Sequence, residues 1–166
     1  MKSHLIELPI STRDGQFIAR YSENGLAELD FPSVGTPRRA DRTPQRDVPA
    51  KISGWHRMTE SALKNILTGN EPENLPPLDP MGTEFQKKVW AALRKISFGQ
   101  TKSYGEIAEA IGQPKAVRAV GGACGANPIP VLVPCHRVLA AHGKIGGFGG
   151  GLDWKRRLLK WEGLGI

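Results

Sequence analysis

Four prolines in ten residues, Pro72, Pro76, Pro77 and Pro80, constrain the folding of this chain more than any other feature. Each ring locks φ, removes a backbone donor and biases the preceding residue towards extended conformations. Residues 71–80 therefore cannot form regular helix, and they read as a linker. The 166 residues suit one domain of ordinary size or a small domain joined to a second, and either can bury a core; a linker at 71–80 would divide the chain into residues 1–80 and 81–166.

On the N-terminal side the apolar residues come in short runs. Leu5, Ile6, Leu8 and Ile10 lead to Thr12-Arg13-Asp14-Gly15, Phe17, Ile18 and Tyr21 lead to Glu23-Asn24-Gly25, and Leu26, Leu29 and Phe31 follow. Asp-Gly and Asn-Gly between such runs predict an antiparallel meander. Residues 32–49 carry Gly35, Pro37, Arg38, Arg39, Arg42, Pro44 and Arg46 without apolar periodicity, and read as an exposed basic loop. Leu63, Ile66 and Leu67 predict a helix capped by Ser53 or Thr59 and ending near Gly69.

Beyond the linker the period becomes helical. Thr83 and Glu84 open a helix whose apolar positions Phe85, Val89, Trp90, Leu93 and Ile96 share one face, with Phe98-Gly99 as its end. Ser103 with Glu106 three residues later is a capping box for a helix carrying Ile107, Ala108 and Ile111. Gly112-Gln113-Pro114 breaks it, and Lys115 begins another with Val117, Arg118 and Val120. Two short helices about a glycine-containing turn predict a helix-turn-helix. The second is poor in bulk: Ala116, Ala119, Gly121, Gly122, Ala123 and Gly125. Each glycine costs a helix up to about 1 kcal/mol, offset either by close packing on a neighbouring helix or by a role against a groove.

Asn127-Pro128-Ile129-Pro130 forces an extended connection, and Val131-Leu132-Val133 reads as a short buried strand leading to Cys135. There a thiol stands beside an imidazole, in Pro134-Cys135-His136-Arg137-Val138. Cysteine attacks as its thiolate, and a neighbouring histidine or cation lowers its pKa. The bland alternative is a small buried hydrophobe. Gly143, Gly146, Gly147, Gly149, Gly150 and Gly151 surround Phe148 in a glycine-dense loop that matches neither phosphate-binding fingerprint. A last helix spans Asp153 to Trp161, and its Lys155-Arg156-Arg157 reads as a solvated face.

The net charge of +7 favours an anionic partner such as nucleic acid. No apolar run approaches the roughly 18 to 20 residues of a membrane span, and Met1-Lys2-Ser3-His4 opens no secretory signal. The expected compartment is the reducing cytoplasm, with Cys124 and Cys135 as free thiols. The four histidines and two cysteines show no paired zinc-ligand spacing.

Arg118-Ala119-Val120-Gly121-Gly122-Ala123, Asn127-Pro128 and Val133-Pro134-Cys135-His136-Arg137-Val138 together resemble the O6-alkylguanine-DNA alkyltransferases, the methylated-DNA-protein-cysteine methyltransferases. Gly82-Thr83-Glu84-Phe85-Gln86, Val89-Trp90, Ser103-Tyr104 and Ile107-Ala108 match the same family's earlier segments. The likeness is specific over about residues 82 to 163; before residue 80 it rests on order and size. The resemblance implies an α+β chain: a small N-terminal antiparallel-sheet domain with a helix, then a mainly helical C-terminal domain containing the helix-turn-helix.

The activity the resemblance implies is single-turnover, irreversible transfer of an alkyl group from O6-alkylguanine, and from O4-alkylthymine, in duplex DNA to Cys135, after base flipping. It also implies the roles. His136 deprotonates Cys135, Glu162 holds the imidazole, Tyr104 donates to the base and Asn127 ties the loop to the active-site strand. Adjacent side chains of an extended strand point to opposite faces, so a water is expected between Cys135 and His136. Arg118 fills the space of the flipped base. Val138, Gly146, Gly147, Phe148, Gly149, Gly150 and Lys155 surround the substrate, while Gly105, Gln113, Lys115, Ala119, Gly121, Gly122 and Ala141 face DNA in the minor groove.

The expected partner is double-stranded DNA with alkylated guanine, bound by a monomer, with cooperativity along the DNA left open. Neither metal nor cofactor is called for, since the protein is the acceptor, and a cytoplasmic, nucleoid-associated location follows. Two departures stand out: Phe148 where the family usually has tyrosine, and Gly149 where many members have serine or alanine. DNA-binding relatives without transfer activity replace the cysteine that this chain keeps, and cysteine hydrolases bring their histidine from far along the sequence.

Overall fold

A computed structural model describes residues 4–33 and 47–166. The basic loop read at 32–49 lies for the most part, at residues 34–46, outside the described residues. The meander forms where the turn signals place it: β1 Ile6–Thr12, β2 Gly15–Tyr21 and β3 Leu26–Asp30, antiparallel in that order. Pairing sets Leu8 opposite Ala19 and Ile10 opposite Phe17, and all four are buried. Alternation thus gives the sheet one core face.

Helix α1, Ala50–Leu67, starts earlier than a Ser53 or Thr59 cap would allow. Pro49 precedes it without any side-chain cap. The fixed φ of proline sets the entry to the first turn, so no capping residue marks the start. Thr59 is instead fully buried inside the helix; it donates to the Trp55 carbonyl at 2.8 Å and accepts from Tyr21 Oη at 2.9 Å. The helix packs Ile52, Ala62, Leu63, Ile66 and Leu67 inward and ends before Gly69, whose φ is +80°.

The proline-rich stretch is no free linker. Leu26 N–H donates to the Pro77 carbonyl and Asp79 N–H to the Leu26 carbonyl, both at 2.8 Å, so residues 77–79 run beside β3 as a short parallel bridge. Gly25 permits the approach, because a Cβ there would stand 2.4 Å from the Pro77 oxygen. Proline is at home on such an edge, where its missing N–H leaves no ladder bond unmade.

Both capping boxes form. Thr83 and Gln86 close the start of α2, Glu84–Leu93, and Ser103 and Glu106 that of α3, Tyr104–Ala110. Helix α2 stops at Leu93, short of Phe98-Gly99. Helix α4, Val117–Gly125, begins two residues after Lys115 and completes the helix-turn-helix. Trp90 Nε1 donates to the Ala123 carbonyl at 2.9 Å, which pins α4 on α2. Two-residue strands β4, Lys102–Ser103, and β5, Val138–Leu139, pair in parallel. They hold the start of α3 beside the chain that follows Cys135. Helix α5, Leu152–Trp161, closes the fold. The buried core runs without a break from Leu8 in β1 to Leu158 in α5, and the architecture is α+β as expected.

Candidate active site

Val131, Leu132 and Val133 are buried but are not a strand. Val131 has φ of +74°, a left-handed conformation that costs a β-branched residue strain and persists only where its surroundings enforce it. Asn127 does part of that enforcing. Its Nδ2 donates to the Val133 carbonyl at 2.9 Å and its Oδ1 accepts from Ile129 N–H at 3.0 Å. The Asn-Pro-Ile-Pro bend thereby folds back on itself, and Val133 N–H closes a turn on the Ile129 carbonyl at 2.9 Å. Cys135 itself opens a 3-10 turn, Cys135–Arg137, so the premise of an extended strand through the Cys-His pair does not hold.

Behind the thiol, His136 and Glu162 are wholly buried side chains, and His136 Nε2 stands 2.7 Å from Glu162 Oε1. Arg137 Nε donates to both Glu162 oxygens, at 3.0 and 2.9 Å, and Gly99 N–H donates to Oε2 at 3.0 Å. Burial by itself would raise the Glu162 pKa, but the hydrogen bonds from His136, Arg137 and Gly99 bring it from 4.5 to about 2. The carboxylate is therefore ionised. It fixes the tautomer of His136, which carries its proton on Nε2 and leaves Nδ1 as an acceptor. Nδ1 is buried with no hydrogen-bond partner among the described residues. Burial lowers the His136 pKa despite Glu162, so the ring is neutral and able to take a proton.

The Arg137 charge, counted from sequence as an influence on the thiol, is committed elsewhere. Besides Glu162 it serves the Ile96 carbonyl, 2.7 Å from its guanidinium. Lys155 reverses another expectation. It is fully buried, not part of a solvated face, and its Nζ donates to the Val138 carbonyl at 2.7 Å and the Gly147 carbonyl at 3.1 Å. The ammonium thus links α5, β5 and the glycine-rich loop.

Cys135 is a free, buried thiol, as is Cys124. Burial raises its pKa; the Asn127 hydrogen bond, the Lys155 charge and nearby N–H groups oppose that without reversing it. A preformed thiolate, which the Cys-His-Arg sequence suggests, is therefore not the resting state. Tyr104 lies half-buried, and a Cβ on Gly146 would meet its hydroxyl at 3.3 Å. Burial above all raises its pKa, so it keeps its proton and can donate.

A cavity of about 410 Å³ opens at Cys135, with Asn127, Phe148, Gly149 and Gly150 in its lining. Sequence reasoning missed Leu29, Phe31, Cys124 and Pro130, which also line it. Leu29 and Phe31 come from the N-terminal half, and only contacts across the two halves reveal them. The remaining candidates lie on the surface of the helix-turn-helix and nearby: Gln113, Lys115, Arg118, Ala119, Gly122 and Ala141 are exposed, and Gly105 and Gly121 partly so. Arg118 makes no hydrogen bond or ion pair among the described residues. A Cβ on Gly121, Gly122 or Gly125 would touch nothing within 4 Å. Close packing therefore does not explain the glycines of α4. Among the described residues no cluster of His, Cys, Asp or Glu could hold a metal ion, and no helix is long and apolar enough to cross a membrane.

Residues 84–164 match the family model for the 6-O-methylguanine DNA methyltransferase, DNA binding domain. A methylated-DNA-protein-cysteine methyltransferase of Methanosarcina acetivorans is 60% identical over 86 residues, 52% of this chain and 55% of that relative. The chain thus spans about half the length of the first curated relatives it matches. A protein of the same name from Methanosarcina mazei is 59% identical over 162 residues, 98% of this chain and 97% of the relative. The crystal structure of Mycobacterium tuberculosis OGT in complex with DNA superposes with a TM-score of 0.73 at 41% identity, covering 93% of this chain and 90% of that one. This chain belongs to the methylated-DNA-protein-cysteine methyltransferase family.

Proposed function

We propose that this protein repairs DNA by moving an alkyl group from guanine O6, and from thymine O4, to Cys135 Sγ, once per molecule. The observation that carries the reading is the buried His136 Nδ1, an acceptor with no partner among the described residues, backed by an ionised Glu162 and carried by the residue that follows the cavity-lining Cys135. Because no direct hydrogen bond occupies Nδ1, a water relays the thiol proton to it. Deprotonation then accompanies transfer instead of preceding it, which suits a thiol whose burial disfavours the free anion.

The alkyl carbon gains a bond to sulfur as its bond to oxygen breaks, and the electron pair passes to the base. Tyr104 donates to that base as charge builds. The Val138 and Gly147 carbonyls, held by Lys155, and the backbone of residues 146–150 read its edge; Phe148 and Gly149 bring no hydroxyl to this task. The product is a thioether, a poor leaving group, so the thiol is not regenerated.

DNA with alkylated guanine is the partner, and the exposed Arg118 and the smooth glycine surface of α4 suit a helix laid in the minor groove with the base flipped out. The DNA complex of the M. tuberculosis relative supports the same partner. A monomer in the cytoplasm, divided near residue 80 into a sheet half and a transfer half, completes the proposal. Mass spectrometry after incubation with a duplex containing O6-methylguanine tests it. One methyl on Cys135 and a reaction that halts at one equivalent are expected; no gain, or repeated turnover, would refute it.

A further inference from the structure

A second cavity, of about 260 Å³, borders the bend that leads to Cys135. Val131, Leu132 and Pro134 of the bend line it, whereas Pro130 and Cys135 line the cavity described above. The two cavities have no lining residue in common. Ile66 of α1 and Leu75 of the proline-rich stretch add apolar surface to the second one. Its charged side comes from Arg137 and from Arg94 and Lys95, just after α2.

Arg137 is only 8% exposed. Glu162 holds its Nε and the Ile96 carbonyl its Nη1, but Nη2 makes no hydrogen bond among the described residues. Among those residues the wholly buried side-chain atom left without a partner is His136 Nδ1. Arg137 Nη2 therefore keeps a path to the exterior, and the cavity that Arg137 lines is that path. Arg94 and Lys95 are exposed and enter no hydrogen bond or ion pair through their side chains among the described residues. Glu162 balances Arg137, and the exposed Glu71 balances one of the other two cations, which leaves the lining positive. Carbonyls at helix ends would favour a cation, but the Leu67 carbonyl already accepts from Arg13 at 2.8 Å and the Ile96 carbonyl from Arg137 at 2.7 Å. The groups left unused are donors, and what they lack is an acceptor.

We propose that this second cavity binds a small organic oxyanion, a carboxylate or phosphate on an apolar body. The anionic oxygens meet Arg137 Nη2, Arg94 and Lys95, and the body lies against Ile66, Leu75 and Leu132. Charge-assisted hydrogen bonds to a guanidinium are among the stronger ones. Arg137 is already fixed by Glu162 and Ile96, so it loses little rotamer freedom on binding. The volume falls just below the roughly 300 to 1,000 Å³ of drug-sized pockets, which limits the body to about one ring. The site does not depend on alkyl transfer at Cys135.

Calorimetric titration of the full chain with phenyl phosphate, inorganic phosphate and benzyl alcohol, at one ionic strength, tests this. Phenyl phosphate should bind at one site, and inorganic phosphate about tenfold more weakly because it buries no apolar surface. Benzyl alcohol should give no measurable binding. The Arg94→Ala, Lys95→Ala double variant, altered only at exposed side chains, should melt with the parent and bind phenyl phosphate about tenfold more weakly. No binding by the parent would overturn the inference, as would binding that the double variant leaves unchanged, since the ligand would then sit elsewhere. Benzyl alcohol equal to phenyl phosphate would remove the anion from the argument, and inorganic phosphate equal to it would remove the apolar body. Should melting show the double variant unfolded, the two single substitutions decide by the same ratio. An unmodified DNA duplex supplies the other source of phosphate. If it displaces phenyl phosphate, and the double variant loses affinity for both by the same factor, the DNA backbone is the occupant and the small-molecule site is refuted; simultaneous binding of both supports it.

Discussion

Two clusters in this molecule each gather an arginine and carboxylate, and they differ in how much water reaches them. On the outer face of the sheet Arg20 holds Glu7, Glu28 and Asp30 at 2.7, 3.0 and 2.7 Å, with side-chain exposures of 26, 22, 43 and 54%. Beneath Cys135, Arg137 and His136 share Glu162, and none of the three side chains exceeds 10% exposure. The sheet cluster has more carboxylates, yet the buried one has more influence. In water an ion pair nearly exchanges one set of favourable contacts for another; in the interior each unpartnered charge is costly. Only the buried cluster can therefore dictate a tautomer.

Removing the shared carboxylate should break this comparison most sharply. Glu162→Ala leaves Arg137 buried without its partner and frees His136 to adopt either tautomer. We expect a loss of about 3–5 kcal/mol of stability by denaturant unfolding, with alkyl transfer also lost. Glu162→Gln should restore much of the stability but little of the transfer, because a neutral amide no longer favours the proton on Nε2. Full activity in Glu162→Gln would mean that the carboxylate charge does not matter.

How much of this was legible in sequence follows from the same division between local and non-local causes. Thr83 with Gln86 and Ser103 with Glu106 could be read because a capping box closes within three residues. The start of α1 could not, since Pro49 provides entry geometry without a side-chain signal. Val131-Leu132-Val133 has the composition of a strand, but Asn127 and the flanking prolines turn it. Lys155 looks like a surface charge until two carbonyls from other elements surround it. Phe31 carries no motif at all, because its place in the cavity depends on the packing of one half on the other. The roles proposed for Tyr104 and Arg118 came only through family resemblance, whereas Cys135 stood out as a thiol beside the His136 imidazole.

Acid sharpens the contrast at intermediate cost. The His136 pKa is lowered from 6.5 by burial, so the unfolded chain protonates first and stability should begin to fall as pH drops below about 6.5. Glu162 sits at about 2 against 4.5 when unperturbed. Its contribution is complete above about pH 4.5 and is lost as pH falls towards 2. The two groups titrate as a coupled pair, so melting temperature should decline over the whole range from 6.5 downward, not in one sharp step. In Glu162→Gln the portion below pH 4.5 should flatten. A melting temperature that rises on acidification would contradict the neutral histidine and ionised glutamate.

The smallest effect belongs to the larger-looking cluster. Arg20→Ala removes the cation that stands on β2 between Glu7 of β1 and Glu28 and Asp30 of β3, leaving like charges whose repulsion is of the order of a few tenths of a kcal/mol to about 1 kcal/mol. Because all three reach solvent, hydration and salt offset most of that repulsion. The expected loss is about 1 kcal/mol at low ionic strength, shrinking further as salt shortens the screening length. Methyl transfer should be unaffected. The Glu162→Ala deficit should by contrast change little with salt, since mobile ions do not enter the interior. Measuring both variants at low and high salt isolates burial as the variable: the sheet cluster should respond to the ions, and the buried one to its missing partner. Equal salt dependence in the two would show that the buried pair is wetter than its geometry implies.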